Sequence, residues 1–392
     1  MSMPERIVFL CGVIDEASRL NRHITNANPA ATQKVFNFCA ALRAIGAWPL
    51  VLSLGRGRQD GSGRAFPAIA RRVDQIAVIY ARFVHSPLTT HFVSAISLAL
   101  LVMRLRRRGK ITLIAYNRLW HYVPALLVAR LTGTRCYLDL EDGAVRRGRH
   151  ALLMLLDRLG TRCFDVLCSD GVLLANRALQ VQTTIRRSLV WYGTTPSIPA
   201  LARWQVRPLG IMLGGTLNHE RGCEVFMQAV RLLMQQRPEL RKCLRFFVTG
   251  HGPMCAELEQ LAAASDGWVQ YEGLVGRDRY LEILGACHAG LMLNLSTSDM
   301  SHTTFPSKVL EYAAAGLLVI ATRVSDVATL LGDGCVLLAD ESPEALAAAL
   351  TALCVDPDAA AQTAGRGAAR LRIACDPRRV ASDIRQFLGG GK

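Results

Sequence analysis

Short, almost wholly apolar runs alternate with longer amphipathic stretches along this chain, and that alternation restricts the fold more than any other feature. In the first half the runs are IVFLCGVI (7–14), WPLVLSL (48–54), QIAVIYA (75–81), ITLIAY (111–116), RCYLDL (135–140) and VLCSD (166–170). Amphipathic segments such as 31–45, 92–107 and 122–131 separate them. Strands apolar on both faces, joined by helical crossovers, predict a parallel sheet covered on both sides. The segment 193–208 carries Pro196, Pro199 and Pro208, loses the periodicity and reads as a linker. Alternation then restarts with LGIMLGG, LRFFVTG, VQYEGLV, AGLMLNL, LLVIATR and CVLLAD, each spaced by a helical pattern, the last of them 343–353. A closing stretch, 376–388, reads as a helix with no strand after it. The expectation is an α/β protein of two doubly wound domains, 1–200 and 201–375, with 376–392 crossing back to the first. Such sheets bind ligands at the carboxyl ends of their strands, here in the crevice between the domains.

Composition removes several classes. Hydrophobic residues make up 51% of the 392, enough to build cores and to exclude wholesale disorder. The twelve cysteines show no C-x-x-C pair and sit mostly in apolar runs, as Cys11 and Cys287 do. They read as buried thiols in a reducing compartment, with neither disulfide framework nor structural zinc. The N-terminus, with its apolar run broken by acids, reads as a first strand and not as a signal peptide. The longest apolar run, 92–103, is well short of the ~20 residues of a membrane span.

Charge is unevenly placed. Forty-six Lys and Arg face 31 Asp and Glu, a net of +15. Residues 1–200 hold 27 against 11, and residues 201–392 hold 19 against 20. One half therefore needs an anionic partner. The run Arg104–Lys110, behind the apolar 92–103, suits an amphipathic helix lying on an anionic membrane face. The same residues would also serve an ordinary helix whose basic end sits at the negative pole of its dipole. Nucleic acid is excluded as the partner, because no aromatics are interleaved with the basic run.

Three groups carry chemistry in the second half. Gly214-Gly215-Thr216-Leu217-Asn218-His219-Glu220-Arg221-Gly222 lies between a strand and a helix. Paired glycines let a backbone approach a ligand, the helix start favours an anion, and Arg221 suits a diphosphate. Gly250-His251-Gly252-Pro253 repeats the device, but Cys255 breaks any G-x-G-x-x-G fingerprint and speaks against nicotinamide or flavin. The third group runs from Ser296 through Asp299, His302, Thr303, Thr304, Phe305, Pro306, Ser307 and Lys308 to Glu311. Pro306 is expected in the first helical turn with the Ser/Thr run as its cap. Lys308 and Glu311, three apart, share one helix face, so an ammonium for phosphates stands beside a carboxylate for ribose hydroxyls.

The run FPSKVLEYAAAGLLVIAT, with GGTLNHERG and GHGP upstream, resembles the nucleotide-sugar half of a GT-B glycosyltransferase. The likeness is to family 4, in the bacterial branch that builds surface polysaccharides. It covers 205–375 closely and 1–200 loosely, through NPAATQKVFNFCAALRAIGAWPLVLSLGR, Tyr116-Asn117 and Glu141-Asp142-Gly143. The resemblance implies two Rossmann-like domains facing a cleft and a retaining, metal-independent transfer from a nucleotide-diphosphate sugar, a UDP- or GDP-sugar, with no cofactor. By the family pattern Arg221 contacts the diphosphate, Lys308 the phosphates, Glu311 the ribose, and Gly273-Leu274 the base. Two positions depart from it. The first acid of the E-x7-E motif falls on Thr303, and a usual arginine falls on Thr216. Lys308 is the expected substitute for that cation, and Asp299 or His302 for that acid.

In the first half, Asn117 and Glu141-Asp142 follow strands and face the expected cleft. They read as a sugar contact and as acceptor-binding or proton-accepting groups, or as helix caps and partners of Arg146 and Arg147. His23 and His121 are further candidates for sugar contact. The expectation is a cytoplasmic enzyme, peripheral at the inner face of the plasma membrane, that glycosylates a glycan or lipid-linked acceptor. A nucleotide-sugar epimerase would gather more acids and histidines. A catalytically silent subunit that binds nucleotide-sugar or a partner enzyme stays open because of Thr303 and Thr216.

Overall fold

The computed structural model describes residues 6–26, 28–58, 65–84, 86, 89–143, 151–198, 202, 204–298 and 301–390. The chain divides into two compact units, residues 1–194 with 377–392, and residues 195–376.

The first unit opens with β1 (Arg6–Cys11), α1 (Glu16–Asn21), α2 (Pro29–Ala44) and β2 (Trp48–Ser53). An excursion of short strands follows: β3 (Ala65–Phe66), β4 (Ile69–Val73), β5 (Ile76–Tyr80) and β6 (Phe83–Val84). Then come α3 (Thr89–Arg108), β7 (Ile111–Tyr116), α4 (Val123–Leu131), β8 (Arg135–Leu140), α5 (Ala151–Leu167), β9 (Gly171–Leu174) and β10 (Ser188–Val190). The eight-stranded sheet runs β10-β9-β8-β7-β1-β2-β5-β4, parallel except for β4 against β5. That edge strand escapes the search for apolar runs, because its residues Ile-Ala-Arg-Arg-Val alternate in burial like a half-solvated antiparallel strand.

The expected strand at 166–170 is also absent. Phe164, Leu167 and Cys168 are buried at helical spacing and complete the inner face of α5, so the strand begins later, at Gly171.

The second unit is β11 (Leu209–Thr216), α6 (Cys223–Gln236), β12 (Leu244–His251), α7 (Cys255–Ala264), β13 (Val269–Gly273), α8 (Arg277–Gly285), β14 (Cys287–Met292), α9 (Ser307–Ala314), β15 (Leu318–Ala321), α10 (Val327–Leu331), β16 (Cys335–Leu337), α11 (Pro343–Val355) and α12 (Pro357–Ala374). Its sheet order, β13-β12-β11-β14-β15-β16, is parallel throughout. Read from the unit's own first strand this is 3-2-1-4-5-6, the doubly wound dinucleotide-binding order, with its switch point between β11 and β14. Every residue of β14 is buried, as a central strand covered on both faces requires.

The last helix, α13 (Pro377–Gly389), belongs to the first unit. Val380, Ala381, Ile384 and Leu388 join the core formed by β1 and α2. The Tyr137 hydroxyl donates to the Leu388 carbonyl at 2.9 Å, and Arg385 donates to the Ile45 carbonyl at 3.0 Å. Several helices start with an Asn, Ser or Asp cap followed by proline, as at Asn28-Pro29, Ser342-Pro343 and Asp356-Pro357. All twelve cysteines are free thiols, and among the described residues no group of acids, histidines and cysteines could hold a metal ion. No described helix is long and apolar enough to cross a membrane.

Candidate functional site

At the switch point of the second unit the loops leaving β11 and β14 are tied together, as the Leu295 amide donates to the Glu220 carbonyl at 2.9 Å. The glycines here have distinct reasons. A Cβ on Gly214 would stand 3.1 Å from the Tyr312 hydroxyl, whereas Gly215 has open space but a φ of +119°. A Cβ on Gly250 would lie 1.8 Å from the Gly215 carbonyl oxygen, and one on Gly252 would lie 2.1 Å from that of Leu217. Gly250 and Gly252 thus let two backbone turns pack directly on each other. Cys255, which breaks the glycine fingerprint, accepts the Gly252 amide on its sulfur at 3.2 Å. Asn218 caps a short 3-10 turn, His219–Arg221, by accepting the Arg221 amide at 3.0 Å, and this holds the half-buried Arg221 at the carboxyl end of β11. Thr216 and His251 are exposed beside it.

On α9 the expected pairing is present, and the structure adds a member. Lys308 donates to Glu311 at 3.1 Å and to the Tyr280 hydroxyl at 2.9 Å, while Tyr280 donates to Glu311 at 2.6 Å. The Lys308 ammonium also stands 4.1 Å from the Tyr280 ring centroid. Tyr280 comes from α8, where a lone tyrosine in RDRYLEIL offers no sequence signal. Its buried hydroxyl, beside Tyr312 and the Glu311 charge, titrates well above the usual phenol range. Pro306 differs from expectation. It sits at the cap of α9 with ψ 105°, outside the first turn, and supplies no cap hydrogen bond of its own. The residue before a helix keeps an extended backbone, which proline's fixed φ allows, and the first-turn amides at Ser307 and Lys308 lack intrahelical acceptors.

Thr303 and Phe305 are buried and Thr304 is half-buried, so no acid occupies the position where the family pattern has its first carboxylate. His302 faces the Ser296 carbonyl at 3.0 Å, and Glu341 accepts the Ser296 amide at 2.7 Å. Asp299 lies outside the described residues. Gly273 has φ +63°, and Leu274 beyond it is 84% exposed. Two buried polar groups at this junction have no partner among the described residues. They are the Tyr312 hydroxyl and both amide atoms of Asn294, just past β14.

In the first unit, Asn117 adopts φ +59°, a conformation asparagine tolerates better than most residues. Its Oδ1 accepts the amides of Glu141 at 2.8 Å and Asp142 at 3.3 Å, so its carbonyl oxygen shapes the loop after β8. Glu141 is clasped by Lys34, at 2.5 and 2.6 Å, and Lys34 lies 4.4 Å from the Trp191 ring centroid. Trp191 donates to Asp139 at 3.0 Å. Burial and the neighbouring Glu141 charge hold the Asp139 carboxyl well above its usual range. Neither Lys34 nor Trp191 could be found by spacing, since they reach Glu141 and Asp139 from 107 and 52 residues away. His121 follows β7 and is bonded to Arg56 and His91. Burial and these two neighbours push its pKa down to about 4.

Residues 208–356 match the family described as Glycosyl transferases group 1. A protein of Arabidopsis thaliana, the A component of phosphatidylinositol N-acetylglucosaminyltransferase, is 24% identical over 263 residues, 64% of this chain and 56% of that protein. This chain therefore spans about half the length of that relative. Among solved structures, Anabaena HepE in complex with UDP superposes with a TM-score of 0.67 at 15% identity, over 98% of this chain and 99% of that one. Sucrose-phosphate synthase from Thermosynechococcus elongatus gives 0.66 at 13% identity, over 98% of each. These likenesses establish the two-domain GT-B fold.

Proposed function

We propose that this chain, a GT-B protein with a group 1 glycosyltransferase domain in its second unit, moves a sugar from a nucleotide-diphosphate donor to an acceptor glycan or lipid-linked glycan. The observation that carries the reading is the Lys308–Glu311–Tyr280 cluster beside the switch point of a doubly wound sheet. Glu311 takes the ribose hydroxyls, while Lys308, Arg221 and the first amides of α9 take the diphosphate. As the glycosidic bond breaks, negative charge grows on that diphosphate, and preorganised cations and amides lower the barrier by stabilising it. No step needs a metal ion. Gly273 and the exposed Leu274 lie against the base, which in a UDP- or GDP-sugar would cover that side chain. HepE bound to UDP supports a uridine donor. Transfer retains the anomeric configuration, as the family pattern implies.

The basic first unit carries the acceptor. Glu141 and Asp142 stand at the carboxyl end of β8, with Asn117 holding their loop. On α3 the exposed Phe92, Ile96 and Leu100 recur every four residues, and Arg104, Arg107 and Arg108 continue past them, while Ala95, Leu98 and Val102 are buried. That line suits a helix resting on an anionic bilayer at the cytoplasmic face. The chain is expected to sediment with phosphatidylglycerol vesicles and not with phosphatidylcholine ones.

A silent-subunit reading is favoured by one observation, the buried Thr303 in place of an acid. The deciding experiment is thermal shift with UDP, GDP, ADP, dTDP and CMP, followed by donor consumption in the presence of membranes. A nucleotide that raises the midpoint, with its sugar then consumed, supports the enzyme. A shift without consumption supports the silent subunit, and no shift with any nucleotide removes the donor site.

A further inference from the structure

Arg56 differs from the other enclosed cations of the first unit. Lys34 pairs with Glu141, Arg118 with Asp165 and Arg130 with Asp170. Arg22 is saturated by backbone carbonyls, at Gly55 (2.7 Å), Ala81 (3.1 Å) and Pro67 (3.0 Å). Arg56, also partly enclosed, meets two imidazoles instead. Its guanidinium lies 3.1 Å from His91 Nδ1 and 3.4 Å from His121 Nδ1, and the two rings meet at 2.5 Å through His91 Nδ1 and His121 Nε2.

A guanidinium only donates, so both Nδ1 atoms it faces are acceptors, and His121 holds its proton on Nε2. His121 is neutral at pH 7, its pKa being held at about 4. Burial, Arg56 and His91 all oppose charge on His121. The outcome is a cation with no acid paired to it among the described residues.

The neighbourhood is also rich in donors with no acceptor. Arg56 Nε, Thr90 Oγ1, Ser94 Oγ and the Tyr122 hydroxyl are buried and unpartnered among the described residues. Ser94 and Tyr122 are fully buried. The Tyr122 hydroxyl lies within the field of Arg56 and of Cys11 at the end of β1. Thr90, His91 and Ser94 occupy the first turns of α3, which packs on the turn holding His121 and Tyr122. Arg56 follows β2 and His121 follows β7, the strands on either side of β1, so the cluster stands at the carboxyl ends of the sheet. A buried donor without an acceptor costs about 1–3 kcal/mol, and an oxyanion is the group that would satisfy several at once. A metal ion is disfavoured, because the guanidinium repels it and already occupies both Nδ1 lone pairs.

We propose that Arg56, His91, His121 and the Tyr122 hydroxyl, with Thr90 and Ser94 at the start of α3, form a phosphoryl-binding site in the first unit. Resting on the reading of the chain as a transferase, the ligand is the phosphate group of its acceptor. The exposed apolar line of α3 begins at Phe92, next to His91, and so would lead an acyl or prenyl chain away from that phosphate.

The test is NMR of the full chain labelled at histidine 13Cε1, titrated without nucleotide with inorganic phosphate, glucose 6-phosphate and farnesyl phosphate. Of the nine histidines, only the His91 and His121 resonances are expected to move. They are assigned by His91→Gln and His121→Asn. In Arg56→Gln the apparent Kd for phosphate should rise at least ~10-fold, as loss of a charge-assisted bond predicts. Farnesyl phosphate binding ~10-fold or more tighter than glucose 6-phosphate would identify a lipid phosphate, and the reverse order a soluble one. The site is overturned if wild-type His91 and His121 stay still at millimolar phosphate, or if they move equally in Arg56→Gln. The wild-type titration stands even where a variant misfolds. The thermal shift with UDP reports the second unit separately, so either site can fail alone.

Discussion

Each unit sets a lysine on an aromatic ring beside a carboxylate, near the carboxyl ends of its strands, and the two clusters are built in opposite ways. Lys308 and Glu311 are three residues apart on one helix, with Tyr280 added from the helix before. Lys34 and Glu141 are 107 residues apart, and the ring beneath Lys34 belongs to Trp191. The second-unit pair is about a quarter exposed at lysine and a fifth at glutamate, and the first-unit pair is more enclosed, at 18% and 11%. A pair set by helix geometry is nearly independent of the tertiary fold and can open towards a ligand. A pair closed across half a domain reports on that domain's integrity.

The sharpest break in the comparison should come from charge removal. Lys308→Ala and Glu311→Gln are expected to lower transfer about 100-fold, the scale of losing one preorganised group at a developing charge, with little change in the urea midpoint. Lys34→Ala should do the reverse. Stranding the enclosed Glu141 is expected to cost about 2–3 kcal/mol in urea unfolding of the first unit, and the UDP thermal shift should survive. Equal stability losses in both variants would erase the distinction.

Glycines give a second contrast of similar size. Gly252→Ala drives a Cβ to 2.1 Å from the Leu217 carbonyl and should destabilise by about 1–3 kcal/mol or more, whereas Gly12→Ala, with nothing within 4 Å, should be near neutral. Thermal midpoints of the two variants decide the point.

Titration of the first unit offers a subtler test. The Asp139 carboxyl is raised in the fold, so the unfolded chain loses that proton first, and native stability declines as pH rises above the usual carboxyl range. Asp139→Asn should cost little, since it mimics the protonated acid, and its stability relative to wild type should improve from pH 4 to 7. His121 has the opposite sign. With its native pKa near 4 against the usual 6.5, the unfolded chain takes up a proton first, and native stability falls as pH drops through that window. His121→Asn should flatten that limb in urea midpoints measured across it.

These contrasts also mark what could be read from the residues. Strand–helix alternation exposed both sheets, because parallel strands buried on both faces leave unbroken apolar runs. It misplaced the strand at 166–170, since Phe164, Leu167 and Cys168 fit a helical face, and it missed β4, whose arginines hide an edge strand. Lys308 and Glu311 were legible because i,i+3 spacing is local. Tyr280, Lys34 and Arg56 were not, because their positions depend on how separate helices and strand-end loops meet. The glycines of GHGP, read as a ligand cradle, also serve close backbone packing, two demands that leave the same letters in a sequence.

The assignment of α13 to the first unit makes the second unit, residues 195–376, an insertion in the chain of the first. Order of synthesis then opposes order of assembly. As the polypeptide leaves the ribosome, the inserted unit has all its strands and helices before the earlier unit receives the helix that seals Phe38, Trp191 and Tyr137. Until then that basic unit exposes apolar surface and depends on contacts spanning more than 300 residues, the kind that close slowly. A truncation or bulky tag at residues 377–390 should therefore impair the amino-terminal half of the protein and leave the sheet of the second unit intact.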